Sequence, residues 1–491
     1  MIFSGCSDEL DLSSPSELTA QGFWNTEEGA KTAHTGLYAN MRSSASTLWL
    51  LGEMRSEIWG GRTFESPFNE NLIESNITVS TAPFGGWGGL YVNIHRVNDF
   101  IANLPAVEFN NEAEKNHFLG EAYALRAFYY YTLLKTWGDV PIVTEPIGNI
   151  DPLGLSRERS PQSEVMTLIK SDIAASLNAF GSDGSFLDGK KVFWSKAATL
   201  ALKGDVYIWS GNLMGGGSAD FTEAKSALQE ISNYGISLVP KFSELWGSEN
   251  DDNDEFIFAL QYKQDEAQNF FNSMTGRGLE VNPQFNDEGK SMKDFVVEGA
   301  NRYGPSEKTL MVLDDNEDDR KDATFITLYT DDNGGKGYPS YTASKYFGAV
   351  FNKFLGRVDN SLRVFDGDYP IYRYADVLLL LAEAKNYLGE DPSAEINQIR
   401  ARAYGDDYDP ATQDYVNGSK VANTNAILTE RYKEFIGEGK RWWDLRRAGD
   451  SFVIENIKYL NPGDEYKLLL PITQDMIGRN PLLKQTAGYT N

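Results

Sequence analysis

The sequence predicts a mostly α protein: a scaffold of helical hairpins with irregular, loop-rich insertions and a few short strands. Three observations carry this. Apolar residues recur at steps of three and four in segments long enough for packed helices. Two regions, 52–86 and 211–370, interrupt that pattern with Gly, Asn, Asp, Ser and Pro. Within the most regular segment, Leu119, Gly120 and Tyr123 match the L-G-x-x-Y core of a tetratricopeptide repeat. The Trp position of that repeat is not kept and no exact period runs through the chain, so the hairpins are expected to be tetratricopeptide-like.

Residues 22–48 read as the first helix, with Ala30, Ala33, Leu37 and Met41 on one stripe. Residues 52–86 read as a long loop carrying Trp59, Phe64, Phe68 and Phe84 without period. A helix resumes at Trp87, where Leu90, Ile94, Val97 and Ile101 align. Residues 112–137 form the clearest helix: Phe118, Ala122, Leu125, Tyr129 and Leu133 share a face, and Gly138 with Pro141 beyond it gives the stop. Segments 161–180, with Val165, Ile169, Ile173 and Leu177, and 194–210, with Ala198, Leu202, Val206 and Trp209, continue the scaffold. In 211–370 the strings GNLMGGGSAD, GSENDDNDE, DDNEDD and TDDNGGKG predict irregular structure and small hairpins around a few helices, and EFIFALQY at 255–262 alternates as a short strand. Helical spacing returns at 371–389, 393–404 and 423–438. The tail YKLLLPITQDMIGRNPLLKQTAGY is strand-like and then irregular.

The stretch ERYKEFIGEGKRWWDLRR at 430–447 stands apart. Glu434, Glu438, Arg441, Asp444 and Arg447 would share one face of a continuous helix, a reading conditional on Gly439 not breaking it. Trp442 and Trp443 sit among these charges, where a solvated face rarely places indoles. A buried polar network that locks the end of the chain against its core is the expectation.

The formal charge of −26 argues against nucleic acid as a partner, because phosphate binding needs a basic footprint. It also tilts the reading toward uncharged ligands. The single cysteine, Cys6, excludes an intramolecular disulfide and a cysteine metal cluster. His34, His95 and His117 lack ligand spacing, and the chain has no run of 18 apolar residues. No P-loop, G-x-S-x-G or H-E-x-x-H motif is present. TDDNGG at 330–335 lacks the glutamate of a calcium loop and reads as a turn. Thus no cofactor, metal or catalytic residue is expected. Cys6 follows the small residues Ser4 and Gly5 and precedes a polar acidic stretch, which marks it as a lipid-attachment cysteine. Residues 1–21 are then a tether and 22–491 a single body.

Several strings together resemble the SusD/RagB family, the glycan-binding outer-membrane lipoproteins of Bacteroidetes. The family's E-R-x-x-E-F/L-x-x-E-G-x-R-x-x-D-L-x-R pattern is met by Glu430, Arg431, Glu434, Phe435, Glu438, Gly439, Arg441, Asp444, Leu445 and Arg447. Its G-E-A-x-x-L-R-A segment through W-G-D-V-P is met from Gly120 to Pro141, its Y-R-Y-A-D-V-L-L segment from Tyr372 to Ala384, and its N-P-x-L-x-Q-x-x-G-Y ending from Asn480 to Tyr489. DDRKDATF at 318–325 also fits. The resemblance spans nearly the whole chain and implies repeat helices near 112–137, 161–210, 371–404 and 423–447, with ligand-face insertions near 52–86 and 211–370. It implies a non-catalytic surface protein, anchored through lipidated Cys6 to the outer face of the cell outer membrane. Such a protein captures oligo- or polysaccharide for a SusC-like TonB-dependent transporter.

The binding expectation rests on aromatic rings in loops. A sugar ring has an apolar face that an exposed Trp or Tyr covers, while nearby polar side chains receive its hydroxyls. Trp59 and Arg62 lie in the Gly-rich string IWGGR, and Tyr338, Tyr341 and Tyr346 follow a Gly-Gly-Lys-Gly loop. Phe271 and Tyr303 lie in turn-rich context, and Trp87 opens a helix. These eight are the candidate ligand residues. Trp137, Trp209 and Trp246, beside apolar periodic runs, are expected in the core. Competing functional classes are a surface glycoside hydrolase with an acid/base carboxylate pair and a helical scaffold for protein partners.

Overall fold

The computed structural model describes residues 23–61, 70–82, 86–148, 155–297, 299–300 and 302–490. Cys6, the 1–21 tether and Arg62 lie outside the described residues. Helices of eight or more residues are numbered below.

Thr26 accepts the Gly29 N–H and opens α1 (Glu27–Ser43). The chain breaks at Ser44 and continues as α2 (Ala45–Glu53), so the helix expected over 22–48 is two. α3 (Gly88–Asn103) leads to α4 (Glu112–Trp137), capped by Asn111 and stopped at Gly138, whose φ of 75° suits glycine. α4 is the central helix: beyond Gly120 nearly every side chain is buried, including Tyr129, Tyr130 and Tyr131. The single stripe seen in sequence understates this, because α4 is covered from several sides. α5 (Gln162–Phe180), α6 (Lys196–Leu213) and α7 (Gly217–Glu230) follow.

Helices pack in pairs, α4 with α5 and α6 with α7. Small residues set the approach. A Cβ on Gly120 would lie 2.8 Å from the Phe180 ring, and one on Gly204 would lie 2.5 Å from Leu228. α7 falls within the region expected to be loop-rich; Gly215, Gly216 and Gly217 ahead of it hide its start from a pattern reading.

The strands are short. β1 (Phe256–Leu260), β2 (Phe285–Asn286), β3 (Phe325–Tyr329), β4 (Tyr346–Phe351), β5 (Arg357–Asp359), β6 (Leu362–Val364) and β7 (Tyr369–Arg373) form three small antiparallel sheets, β1–β7, β2–β3–β4 and β5–β6. The β5–β6 hairpin turns through Asn360 and Ser361, both at positive φ, as a tight hairpin requires. β7 takes the first residues of the helix expected over 371–389, and α8 (Tyr374–Leu388) begins only after it. α9 (Ser393–Tyr404), α10 (Lys420–Phe435) and α11 (Arg441–Ala448) complete the scaffold, with α8 packed on α6, α7, α9 and α10. The tail forms no strand among the described residues; it carries a short helix at Gln474–Arg479.

Gly437 and Gly439, at φ 84° and 72°, separate α10 from α11, so the charges of 430–447 do not share one helical face. They are nevertheless buried together. Arg373 on β7 meets Glu255 at 2.7 Å, Glu434 at 2.6 Å and Glu438 at 2.9 Å, all within the interior. Arg441 pairs with Glu57 at 2.7 Å, and Arg447 pairs with Glu383 at 2.7 Å and Asp444 at 2.9 Å. Burial alone would raise the Glu434 carboxyl, but Arg402, Arg373 and Arg320 outweigh it and hold Glu434 well below the usual carboxylate range. Removing one partner from such a network leaves a buried charge uncompensated, at a cost of about 3–5 kcal/mol.

Candidate functional site

The sheet β2–β3–β4 organises the aromatic residues singled out by sequence. At one end, the pair Phe325–Phe351 closes onto the interior. Trp59 lies edge-on to both rings, at 6.0 and 5.6 Å, and to Tyr303 at 6.4 Å. Phe271 stacks on Phe354 at 4.2 Å and tilts against Phe351. Trp59, Phe271 and Tyr303 are 2%, 1% and 5% exposed, so none is displayed to a ligand. The reason is visible in the backbone. Gly60 and Gly61 donate to Gly304 O, and Ser306 donates to Ile58 O at 2.7 Å, pressing the Trp59 loop against 303–306. The Trp59 indole N–H is taken by Glu53 at 3.3 Å.

Trp87 is also buried. It lies edge-on to Trp137 at 5.6 Å and to Tyr91 at 5.8 Å, stapling the start of α3 to the end of α4. The expected display of Trp59, Trp87, Phe271 and Tyr303 is therefore replaced by packing. Trp137, Trp209 and Trp246 are core or half-buried against it, as expected.

The other end of the sheet differs. Tyr329 on β3 stacks under Tyr338 at 4.9 Å and meets Tyr346 at 6.1 Å, and Tyr341 meets Tyr346 edge to face at 6.3 Å and 81°. Tyr329 is buried, whereas Tyr338, Tyr341 and Tyr346 are half-buried. The Tyr341–Tyr346 angle makes a corner: one ring can lie against a flat ligand while the other walls it in. The loop carrying them is pinned. Tyr338 N–H donates to Asp287 O at 2.7 Å, its phenol donates to Asp331 at 2.5 Å, and the Ser340 hydroxyl donates to Asp314 at 2.6 Å. The Asp331 bond pushes the Tyr338 phenol up to about 12, so this ring stays neutral at any ordinary pH. Lys321, Thr342 and Lys345 bring polar groups around the corner.

The TDDNGG turn holds itself together. Asp331 accepts from Asn333 N–H and Asp332 from Gly334 N–H, committing these carboxylates to turn formation. A groove of about 470 Å³ runs along the neighbouring side of the sheet, between Met292, Phe295, Asp322 and Ile326. Sequence reading passed over Tyr466, 37% exposed beside the C-terminal tail, because its surroundings look strand-like.

Residues 244–489 match the family model described as SusD family, and residues 8–207 match one described as starch-binding and associating with the outer membrane. The first of these alone covers half of the chain. The chain belongs to the SusD family. Its fold agrees: it is similar to NanU of B. fragilis at 38% identity and a TM-score of 0.88, covering 98% of this chain and 100% of that one. A SusD superfamily protein of Bacteroides fragilis is 32% identical with a TM-score of 0.85, over 95% of this chain and 100% of its own. SusD-like protein P38 of Formosa agariphila is 27% identical over 99% of this chain and 96% of its own length. The tyrosine corner lies inside the 244–489 segment matched to the SusD family, and the Trp59 loop inside the 8–207 segment matched to the starch-binding model. No helix among the described residues is long and apolar enough to cross a membrane.

Proposed function

We propose that this SusD-family protein binds oligo- or polysaccharide without chemically altering it, using the Tyr341–Tyr346 corner as its ring-stacking surface. In this reading it is held on the outer face of the outer membrane through Cys6 and passes the glycan to a SusC-like TonB-dependent transporter. The observation that carries the reading is the corner itself: two half-buried rings at 81°, one on the pinned loop and one at the head of β4, flanked by polar side chains. The description of one matched family as starch-binding and outer-membrane-associated supports the ligand class and the location. The acidic surface favours an uncharged glycan over a polyanionic one.

The test is retardation in native gels loaded with laminarin, soluble starch or an anionic polysaccharide. Tyr341→Ala is expected to weaken retardation by roughly three- to tenfold, the worth of one aromatic contact. Full retardation in both Tyr341→Ala and Tyr346→Ala would remove the corner from the site. Release of reducing ends from any of the polymers would replace binding by hydrolysis. Failure of the native protein to be retarded by any of them would favour a protein-binding scaffold.

A further inference from the structure

A second groove, of about 770 Å³, lies far along the chain from the tyrosine corner, where the W-G-D-V-P loop meets the C-terminal tail. Arg159 joins its two walls. Arg159 donates to Trp137 O at 2.7 Å, Asp139 O at 2.7 Å and Lys484 O at 3.0 Å, bridging the two segments. Gln485 bonds both the N–H and the O of Ile472 at 2.7 Å, and the Thr486 hydroxyl donates to Leu470 O at 3.0 Å, so the tail wall is stapled down. The volume falls within the range of roughly 300–1,000 Å³ usual for ligand sites.

Tyr466 forms one wall. Its ring is held edge-on by Tyr489 at 5.0 Å and 78°, and the Tyr489 phenol is itself tied to Leu469 O at 3.0 Å. Gly488 makes this placement possible. It sits at φ 90°, and a Cβ there would lie 2.3 Å from the Tyr466 Cβ, so any other residue would displace the ring. Tyr466 remains 37% exposed and Leu482 45% exposed. Glu158, Gln162 and Lys484 are exposed at the rim of the groove, beside exposed Glu465. Asp139, Glu158 and Glu465 against Arg159 and Lys484 leave the groove with one net negative charge, which disfavours an anionic ligand, while an oriented ring with polar neighbours suits a flat, hydroxyl-rich one.

We propose that this groove is a second saccharide-binding surface, taking an uncharged hexose unit against Tyr466 with its hydroxyls received by Glu158, Gln162 and Lys484. The proposal rests on the glycan-binding reading above. Two surfaces on one body would hold a polymer more tightly than either holds a short oligosaccharide, through effective concentration.

Hydrogen exchange on the full chain with saturating laminarin, and separately with soluble starch, tests it. The expected result with at least one polymer is slowed exchange at 465–469 and 480–488 as well as at 329–346. Tyr466→Ala should lose the first two protections and weaken polymer retardation roughly three- to tenfold, and Tyr466→Phe should keep both. Protection confined to 329–346 would overturn the second surface and leave the first reading standing. Unchanged protection at 465–488 in Tyr466→Ala would overturn the stacking role. No protection anywhere, with either polymer, would overturn both readings.

Discussion

Trp59 shows how a local string can mislead at the scale of one residue. Glycines beside a tryptophan suggest a displayed ring, yet here they serve close backbone approach. A Cβ on Gly61 would lie 1.8 Å from Pro305 O, so the glycines let 303–306 press the loop inward and seal the indole. The Gly-Gly-Lys-Gly loop also presses on backbone, a Cβ on Gly337 lying 1.9 Å from Asp287 O, yet that contact pins the loop at the end of the sheet and leaves its tyrosines half-exposed. Composition and spacing are alike in the two cases; only the partner segment differs, and it lies more than 240 residues away in the chain. Trp59→Ala is therefore expected to act on stability, lowering the unfolding free energy by about 3–5 kcal/mol as a large core truncation does. Tyr341→Ala should change it by less than about 1 kcal/mol. Urea unfolding followed by far-UV circular dichroism compares the two, and equal midpoints for both variants would contradict the burial assigned to Trp59.

At the scale of elements, long amphipathic helices were legible and short strands largely were not. α3 and α5 follow their apolar spacing closely, whereas β7 hides at the head of a helical pattern because every residue of Tyr369–Arg373 is buried and none alternates. The acidic turns were legible as turns but not as neighbours. Turns 247–254 and 365–368 meet, with Asp368 N–H donating to Asp251 at 2.9 Å and Tyr262 N–H donating to Asp368 at 2.9 Å. Burial, with the Asp251 charge adding to it, pushes the Asp368 carboxyl up to about 8. Burial, with the charges of Asp252, Asp366 and Glu249 adding, pushes Asp251 up to about 7. Nearby, Arg357 is engaged with Asp366 at 2.8 Å. The folded protein thus keeps protons that the unfolded chain releases above about pH 4, and this contribution to stability falls as the pH rises from about 4 through about 8. Asp368→Asn removes one of the two titrating groups, and its amide oxygen can still accept from Tyr262. Its melting temperature should match the native protein's near pH 3.5 and exceed it by a growing margin up to pH 8.5. A constant difference across that range would show that the pair is not what titrates.

At the scale of the whole molecule, the C-terminal signature was legible as a buried network because indoles sat among its charges, but its partners were not. They come from Glu57, Glu255, Arg373 and Glu383, spread over more than 320 residues of chain. Trp49 donates to Gly437 O at 3.0 Å, Glu53 accepts from Gly437 N–H at 2.7 Å and Gly439 N–H at 3.0 Å, and Arg55 donates to Leu468 O at 3.2 Å. The α2 segment is thereby interlocked with the α10–α11 turn. A chain of 491 residues ordinarily divides into separately melting domains. Here a split anywhere between α2 and α11 would expose charges paired only across it, so we propose that 22–491 unfolds as one body. Calorimetry should show a single transition whose measured and van't Hoff enthalpies agree. Arg373→Leu leaves Glu255, Glu434 and Glu438 with fewer partners and should cost about 3–5 kcal/mol. It is expected to move the entire transition to lower temperature. If it instead splits the trace, with part of the heat staying at the native temperature, the helices before β7 and the signature after it are separate folding units, and the network fastens two domains where a single body is proposed.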